Sequence, residues 1–217
     1  MLQKEAVAPE LLKMLTDIMK EPLFSNYILA GGTALALQIG HRMSDDIDIF
    51  TGGKQDNDEY INYFRKNYNQ VDVFNNKENI IQLYANNIKI DIISTKGNFF
   101  EPPKIIDEIK LFGIKDIAGM KLGAIIDRKK AKDFIDIAYL LKYMSFEEML
   151  DIYKYKNNTE NVLDVKKGLS EIRLVNPYTW QQVKMLKNDI FISNIPGILD
   201  EEIKNYNKKY GIGIKRI

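Results

Sequence analysis

Closely spaced aspartates in a segment with strand-like alternation are the residues of this sequence best suited to chemistry. In DDIDIF (residues 45–50), Asp46 and Asp48 would project from one face of a strand, while Ile47 and Ile49 would enter the core. Two carboxylates at this spacing repel each other unless a cation lies between them, and hard oxygen ligands suit Mg²⁺ or Mn²⁺. The segment therefore predicts a metal-binding pair.

A further acidic residue, Asp91, stands in a second strand-like segment. In IKIDIIS (residues 88–94) the alternating isoleucines take one face and leave Asp91 on the other, next to Lys89. Burying the charge of an aspartate on a strand costs free energy, so an aspartate at such a position indicates a functional role. Three carboxylates could hold two metal ions about 3.5–4 Å apart, an arrangement that serves in-line phosphoryl displacement.

Two adjacent glycines, Gly31 and Gly32, come before these acids. They lie between a predicted strand, LFSNYILA (residues 23–30), and a short predicted helix for which Thr33 is the expected N-cap. Glycine lets a ligand approach the backbone, and the N–H groups at a helix start attract phosphate. Asp-x-Asp alone is usually a pair of solvated acids, but both motifs in this order favour a phosphate and metal site.

Composition limits the classes of protein to which the chain can belong. Its 217 residues carry 31 basic and 30 acidic side chains, which gives a formal net charge of +1. This net charge does not indicate a nucleic-acid or membrane partner. The absence of cysteine and the single histidine exclude disulfides, thiolate zinc sites and multi-histidine metal sites. No secretory signal or apolar run of about 20 residues is present. We expect a soluble cytoplasmic protein without membrane contact.

The order of predicted elements indicates two domains. Residues 9–20 have helical periodicity, and IIQLY with IKIDIIS predicts a β-hairpin. After Glu101-Pro102-Pro103, helical periodicity dominates and strand signals almost disappear. The prediction is an α+β (mixed α/β) fold, with a small mixed sheet in residues 1–101 and a helical domain in residues 102–217.

The segment GGTALALQIGHRMSDDIDIF (residues 31–50) is very similar to the first motif of the AbiEii-type nucleotidyltransferases. These are toxins of bacterial toxin–antitoxin and abortive-infection systems within the DNA polymerase β-like superfamily. The resemblance implies a phosphate-cradling turn, two polar supports and a set of metal-binding carboxylates. In this sequence these are Gly31, Gly32 and Thr33 for the turn, Arg42 and Ser44 for the supports, and Asp46, Asp48 and Asp91 for the metal.

A second segment, DIAGMKLGAIIDRKKAKDFIDIAYLL (residues 116–141), is similar to a helical block of the same family. Lys121 and Arg128 are spaced to share a helix face, where both cations could meet a triphosphate, and the resemblance adds Asp133 and Asp136 to the nucleotide site. Either aspartate could instead decorate a surface helix, as Asp136 would in an i,i+4 pair with Lys132. On the first interpretation, Lys121→Ala should weaken nucleotide binding without unfolding the helix.

The resemblance implies an enzyme that transfers a nucleoside monophosphate from a nucleoside triphosphate to an acceptor hydroxyl, with Mg²⁺ or Mn²⁺ as cofactor. The nucleotide would lie in a cleft completed by the helical domain, the acceptor would be tRNA, and a separately encoded antitoxin would be the protein partner. Basic runs at residues 128–133 and 204–216 support RNA binding only weakly. Two alternatives stay open: transfer to a small molecule of the antibiotic type, and a catalytically silent nucleotide-binding or protein-interaction module.

Overall fold

The computed structural model describes residues 1–95 and 97–212. The chain divides into two compact units, the first spanning Met1–Gly113 and the second beginning at Ile114. The first unit contains a seven-stranded mixed sheet, and the second contains helices. The mixed α/β fold predicted from the sequence is therefore confirmed.

Seven strands make up the sheet of the first unit. In chain order they are β1 (Ile28–Leu29), β2 (Asp46–Thr51), β3 (Val71–Lys77), β4 (Ile80–Ala85), β5 (Ile88–Ser94), β6 (Lys104–Ile106) and β7 (Ile109–Leu111). Their spatial order is β3-β4-β5-β2-β1-β7-β6. At its centre β2 runs parallel to β5, whereas β4 and β1 flank this pair in antiparallel orientation.

The two faces of the central strands differ in chemistry. Isoleucines alternate with polar residues along β2 and β5, and the isoleucine positions Ile47, Ile49, Ile90 and Ile92 are fully buried. Since successive side chains in a strand point to opposite faces, the aspartates lie on the other face. The predicted alternation of acid and isoleucine in β2 and β5 is confirmed.

Within the described residues, the first unit contains three α-helices: α1 (Pro9–Lys20), α2 (Gly31–Ile39) and α3 (Asn57–Asn67). Helix α1 has the predicted bounds, but α2 begins two residues before Thr33, which was expected to cap it. The N-cap is Ala30, and Thr33 lies inside the first turn with a fully buried side chain. Thr33 cannot act as the cap because its own backbone is already helical.

The hairpin of β6 and β7 shifts the boundary between the units. It lies at residues 104–111, where helical structure was expected, and β7 pairs with β1 in the sheet of the first unit. Its turn is Asp107-Glu108, with both residues at positive φ. Because this turn lacks the usual glycine or asparagine, the sequence gives no hairpin signal there. The units separate after Gly113 and not after residue 101.

The second unit contains six α-helices within the described residues. They are α4 (Ile114–Asp127), α5 (Ala131–Leu140), α6 (Phe146–Asn157), α7 (Leu163–Ser170), α8 (Pro177–Gln181) and α9 (Ile195–Lys209). Helix α6 begins with the predicted capping box, in which Ser145 and Glu148 exchange side-chain and backbone hydrogen bonds. No helix in residues 1–95 or 97–212 is long and apolar enough to span a membrane.

Candidate active site

Three aspartates share the polar face at the centre of the sheet. In the parallel pairing of β2 with β5, Asp48 stands directly opposite Asp91, and Asp46 stands opposite Lys89. Neighbouring strands are about 4.8 Å apart, so this register brings carboxylates from two distant segments to adjacent positions. The side chain of Asp91 is only 13% exposed. The register thus assembles the predicted carboxylate set on one surface.

Polar side chains hold the carboxylate of Asp91 on both sides. Its Oδ1 lies 2.5 Å from Nζ of Lys89, and its Oδ2 accepts a hydrogen bond of 3.0 Å from Nε2 of Gln82 on β4. The amide of Gln82 is oriented in turn by Asn75 on β3, whose Nδ2 donates to Oε1 of Gln82 at 2.9 Å. The orientation of Asp91 is therefore determined by Lys89 on its own strand, β5, and by Gln82 on β4, which Asn75 on β3 holds in place.

A register shift in β3 makes this chain of hydrogen bonds possible. Val73 pairs with Leu83, but the next paired residues are Asn75 and Gln82, so the pairing skips Phe74. An extra residue of this kind re-aims the side chains that follow it. Sequence reasoning found neither Gln82 nor Asn75. The only available signal was the position of Gln82 between the buried residues Ile81 and Leu83.

Gly31 lies against the carboxylate of Asp48. Its backbone has a φ of +65°, and a Cβ at this position would overlap Oδ2 of Asp48 and lie 2.9 Å from its Cγ. Of the two adjacent glycines, Gly31 has the positive φ and Gly32 does not. Glycine is required here because the backbone conformation and the close approach of Asp48 both exclude a side chain.

Gly31→Ala should therefore damage the site more than the fold. A left-handed alanine costs about 1–2 kcal/mol, which would lower the melting temperature by several degrees, and displacement of Asp48 should reduce activity about a hundredfold. The measurement is a thermal melt combined with an assay of nucleotide transfer. Gly52→Ala is the control, since its added Cβ would lie 3.8 Å from the nearest atom and should change neither quantity. Full activity in Gly31→Ala would show that Asp48 does not need its present position.

The remaining residues of the first motif are buried supports. The hydroxyl of Thr33 donates to the main-chain carbonyl of Asp46 and lies 2.9 Å from Oγ of Ser44. Arg42 is 2% exposed, and a Cβ added to Gly32 would lie 2.5 Å from its Nη2. These contacts tie the start of α2 to the start of β2. His41, the single histidine, is also fully buried, which fits a role in the scaffold better than a role as a general base.

The first turn of α2 begins without an N-cap side chain. The N-cap residue is Ala30, whose methyl group cannot accept a hydrogen bond from the backbone N–H groups that follow it. Uncapped N–H groups at a helix start carry partial positive charge and bind phosphate well. This feature lies next to Asp48, since Gly31 is the first residue of the helix.

The carboxylates fit a magnesium site in which the protein supplies only a few of the ligands. Among residues 1–95 and 97–212, no three acidic or histidine side chains are grouped closely enough to hold a metal ion. Mg²⁺, however, is commonly bound by one or two carboxylates together with waters and substrate phosphates. Asp46 and Asp48 provide such a pair of hard oxygen donors on one face of β2.

In the second motif, a buried lysine joins two buried aspartates. Nζ of Lys121, on α4, lies 2.8 Å from Oδ1 of Asp133 and 2.6 Å from Oδ2 of Asp136, both on α5. The side chain of Lys121 is 4% exposed, and the two aspartate side chains are fully buried. Lys121 is thus the shared counterion of two carboxylates inside the second unit.

Arg128 lies elsewhere than its spacing from Lys121 suggested. Helix α4 ends at Asp127, so the two cations do not share a helix face. Arg128 instead binds Asp133 through Nε at 3.0 Å, with its own side chain 47% exposed. In the same basic run, residues 128–133, Lys129 pairs with Glu171 at 2.9 Å. Part of the second basic run, residues 213–216, lies outside the described residues.

The charge of Asp133 makes the second unit sensitive to acid. Burial raises the pKa of this carboxyl, but Lys121 and Arg128 outweigh burial and bring its pKa below the ordinary value of 3.8. A depressed carboxyl pKa contributes stability above the ordinary pKa, and this stability is lost as the pH falls through the lower pKa of the folded state. The free energy of unfolding should thus decrease below about pH 4, and this decrease should be smaller in Asp133→Asn. Urea unfolding at neutral pH and at pH 3 would measure it, and equal decreases in both proteins would contradict it.

Comparison with known proteins places these features in a family context. Residues 13–173 match the protein family described as nucleotidyl transferase AbiEii toxin, type IV TA system. An uncharacterized protein of Aquifex aeolicus, aq_aa25, is 32% identical over 146 residues, which cover 61% of this chain and 68% of that protein. The family match includes both sequence motifs.

Solved structures share the fold at low sequence identity. MenT4, a nucleotidyltransferase toxin from Mycobacterium tuberculosis, aligns with a TM-score of 0.58 at 11% identity, covering 88% of this chain and 81% of its own. JHP933 from Helicobacter pylori aligns with a TM-score of 0.57 at 17% identity, covering 94% and 97% of the two chains. At these identities the similarity concerns the fold.

Proposed function

Because the chain belongs to the AbiEii family of nucleotidyltransferases, we propose that it uses a divalent metal ion to transfer a nucleoside monophosphate from a nucleoside triphosphate to a hydroxyl group of tRNA. The proposed biological role is that of a toxin, neutralised by a separately encoded antitoxin protein. Nucleoside triphosphates and tRNA are cytoplasmic, so we place the reaction in the cytoplasm. The main support is the register of Asp48 opposite Asp91, next to the start of α2 at Gly31.

The proposed roles follow from the chemistry of each group. Asp46 and Asp48 would hold Mg²⁺ or Mn²⁺, which when bound neutralises charge on the phosphate oxygens. The backbone N–H groups of the first turn of α2, including that of Gly32, would orient the phosphate chain. Arg128 is an exposed cation of the second motif, and we assign it contact with the nucleotide, while Lys121 holds Asp133 and Asp136 in place.

Asp91 is suited to receive the proton of the acceptor. Its two oxygens already accept hydrogen bonds from Lys89 and Gln82, but each carboxylate oxygen can accept a second one. The acceptor hydroxyl would form a bond to the α-phosphorus, the bond from that phosphorus to the pyrophosphate oxygen would break, and pyrophosphate would leave. The hydroxyl proton would pass to Asp91, which Lys89 and Gln82 keep in a fixed orientation.

Incubation with labelled nucleotides tests this proposal. The protein is mixed with each α-labelled nucleoside triphosphate in turn, Mg²⁺ and total RNA, and the RNA is separated by size. We expect label in the tRNA band and pyrophosphate release, both lost on adding a chelator. Label in a small-molecule fraction would favour the antibiotic type of acceptor, and transfer that survives complete chelation would refute the metal requirement.

A further inference from the structure

Two exposed aromatic rings lie side by side on strands β3 and β4. The rings of Phe74 and Tyr84 are 5.3 Å apart between centroids, with an interplanar angle of 37°. Their residues are 48% and 42% exposed. Large aromatic side chains usually bury most of their surface, so a solvent-exposed pair on a sheet suggests a ligand that stacks on it.

This ring pair shares a sheet face with the aspartates. Tyr84 is two residues from Gln82 along β4, and the side chain of Gln82 reaches Asp91, so both point to the same face. Tyr84 also stands opposite Lys89, which stands opposite Asp46 on the next strand. The rings therefore continue, toward the edge of the sheet, the polar surface that carries the aspartates.

The skipped residue in the pairing of β3 explains why Phe74 is displayed. It lies at the register shift between Val73 and Asn75. The same irregularity serves both the amide chain that holds Asp91 and the placement of the ring beside Tyr84. Exposure of Phe74 is thus built into the strand geometry next to the site.

A polar cleft borders Tyr84. It has a volume of about 640 Å³, within the range of small-ligand sites. Its lining combines four amide or acid side chains with two apolar ones: Asn69, Gln70, Asp72 and Asn87, with Val71 and Tyr84. Amides and a carboxylate can each pair with the donors and acceptors of an unstacked nucleobase. Stacking rings next to hydrogen-bonding groups are the combination that unpaired nucleic acid requires.

Two aromatic residues of helix α3 behave differently. Tyr60 is 7% exposed and Phe64 is fully buried, and both pack against Phe24 with ring centroids 5.3 Å and 6.0 Å away. These two rings are part of the core. Phe74 and Tyr84 cannot be explained in the same way because nearly half of each residue remains in solvent.

We propose that Phe74 and Tyr84 stack the bases at the unpaired 3′ end of the RNA acceptor, in a single-stranded conformation. The proposal rests on the proposed function and deepens it by naming where the acceptor strand binds. With strands about 4.8 Å apart, β4 is about 10 Å from β2 and β3 is about 15 Å from it. A few stacked nucleotides, at about 3.4 Å each, would span that distance and bring the terminal hydroxyl to the aspartates.

Fluorescence anisotropy with a short 5′-fluorescein-labelled single-stranded RNA tests this assignment. The assay contains Mg²⁺ and no triphosphate, so it does not depend on catalysis. Phe74→Ala and Tyr84→Ala should each weaken binding about tenfold, whereas Tyr84→Phe should retain it because the stacking ring remains. Phe74→Leu, which keeps apolar bulk on the strand, covers the case in which Phe74→Ala fails to fold.

Two controls make the result specific. Tyr143→Ala removes an aromatic side chain of equal exposure, 48%, from the second unit, and should leave RNA binding unchanged. The same RNA annealed into a blunt duplex should bind equally to the wild type and to the ring variants. Affinity for the magnesium complex of a nucleoside triphosphate, measured by calorimetry, should also be unaffected by the ring variants.

Several results would overturn the assignment. These are unchanged affinity for single-stranded RNA in folded Phe74 and Tyr84 variants, an equal loss with Tyr143→Ala, and a loss of triphosphate binding in place of RNA binding. A wild type that labels tRNA while the ring variants bind RNA normally would refute this surface and leave the transferase proposal intact. Ring-dependent RNA binding in a protein that transfers no nucleotide would support this surface and refute the transferase proposal.

Discussion

Replacing Asp48 with asparagine will abolish nucleotide transfer, by about a thousandfold or more, without unfolding the protein. The substitution keeps the size of the side chain but removes the negative charge that the proposed metal ion would need, and the charge stabilisation that such an ion supplies amounts to several kcal/mol. Asp48 also contacts Gly31 and stands opposite Asp91, so no neighbouring carboxylate can replace it in that position. The assay is incorporation of labelled nucleoside monophosphate, and circular dichroism verifies the fold.

The adjacent aspartate provides the matched control. Asp45 is exposed and precedes β2, so it does not belong to the set formed by Asp46, Asp48 and Asp91. Asp45→Asn should therefore retain activity within about twofold, while its charge change equals that of Asp48→Asn. If Asp48→Asn transferred nucleotide at the wild-type rate, Asp48 would not be a metal ligand and the proposed mechanism would fail.

The second large effect is on stability. Lys121→Ala should decrease the free energy of unfolding by about 3–5 kcal/mol, because it leaves the buried carboxylates of Asp133 and Asp136 without the lysine that neutralises them. Sequence reasoning predicted the opposite, an intact helix with weaker nucleotide binding, since alanine is a good helix former. Helix propensity does not decide the result, because removing the buried counterion of two carboxylates costs more free energy than the higher helix propensity of alanine provides. Urea unfolding monitored by circular dichroism measures the difference.

Arg173→Ala is the control in the same unit. Arg173 pairs with Asp200 at 3.7 Å, and its side chain is 80% exposed, so its loss should cost less than about 1 kcal/mol. If Lys121→Ala kept full stability but lost triphosphate affinity, Lys121 would be a nucleotide ligand as the family resemblance implied. A stable variant with unchanged affinity would assign Lys121 to neither role.

The parts of the fold that follow from local patterns were predictable. Helix α1 follows from the apolar periodicity of residues 9–20, and β2 and β5 follow from the alternation of acid with isoleucine. The same alternation placed Asp46, Asp48 and Asp91 on polar faces. What it could not provide was the pairing of Asp48 with Asp91, because register between distant strands depends on the whole sheet.

Non-local contacts account for the remaining differences. The contact of Gln82 with Asp91 depends on the pairing of β4 with β5, and the support of Gln82 by Asn75 depends on a register shift in β3 that no local pattern predicts. From the sequence alone, Lys121 was interpreted as a cation available to a nucleotide. In the structure, α5 packs against α4 and buries Lys121 between two acids. The hairpin of β6 and β7 turns at Asp107-Glu108, residues with weak turn preference, so its strands were assigned to the helical domain.

The parallel pairing of β2 with β5 also determines when the chain can first become active during synthesis. Helix α3 and strands β3 and β4 all lie between the two partners in the sequence. Pairing across such a separation closes a long loop and is slow compared with the formation of local helices. A ribosome-bound chain that has released only β2 therefore carries its Asp-x-Asp motif without Asp91, and the proposed site is incomplete. On the proposed function, nucleotide transfer would begin only after β5 has emerged and joined the sheet.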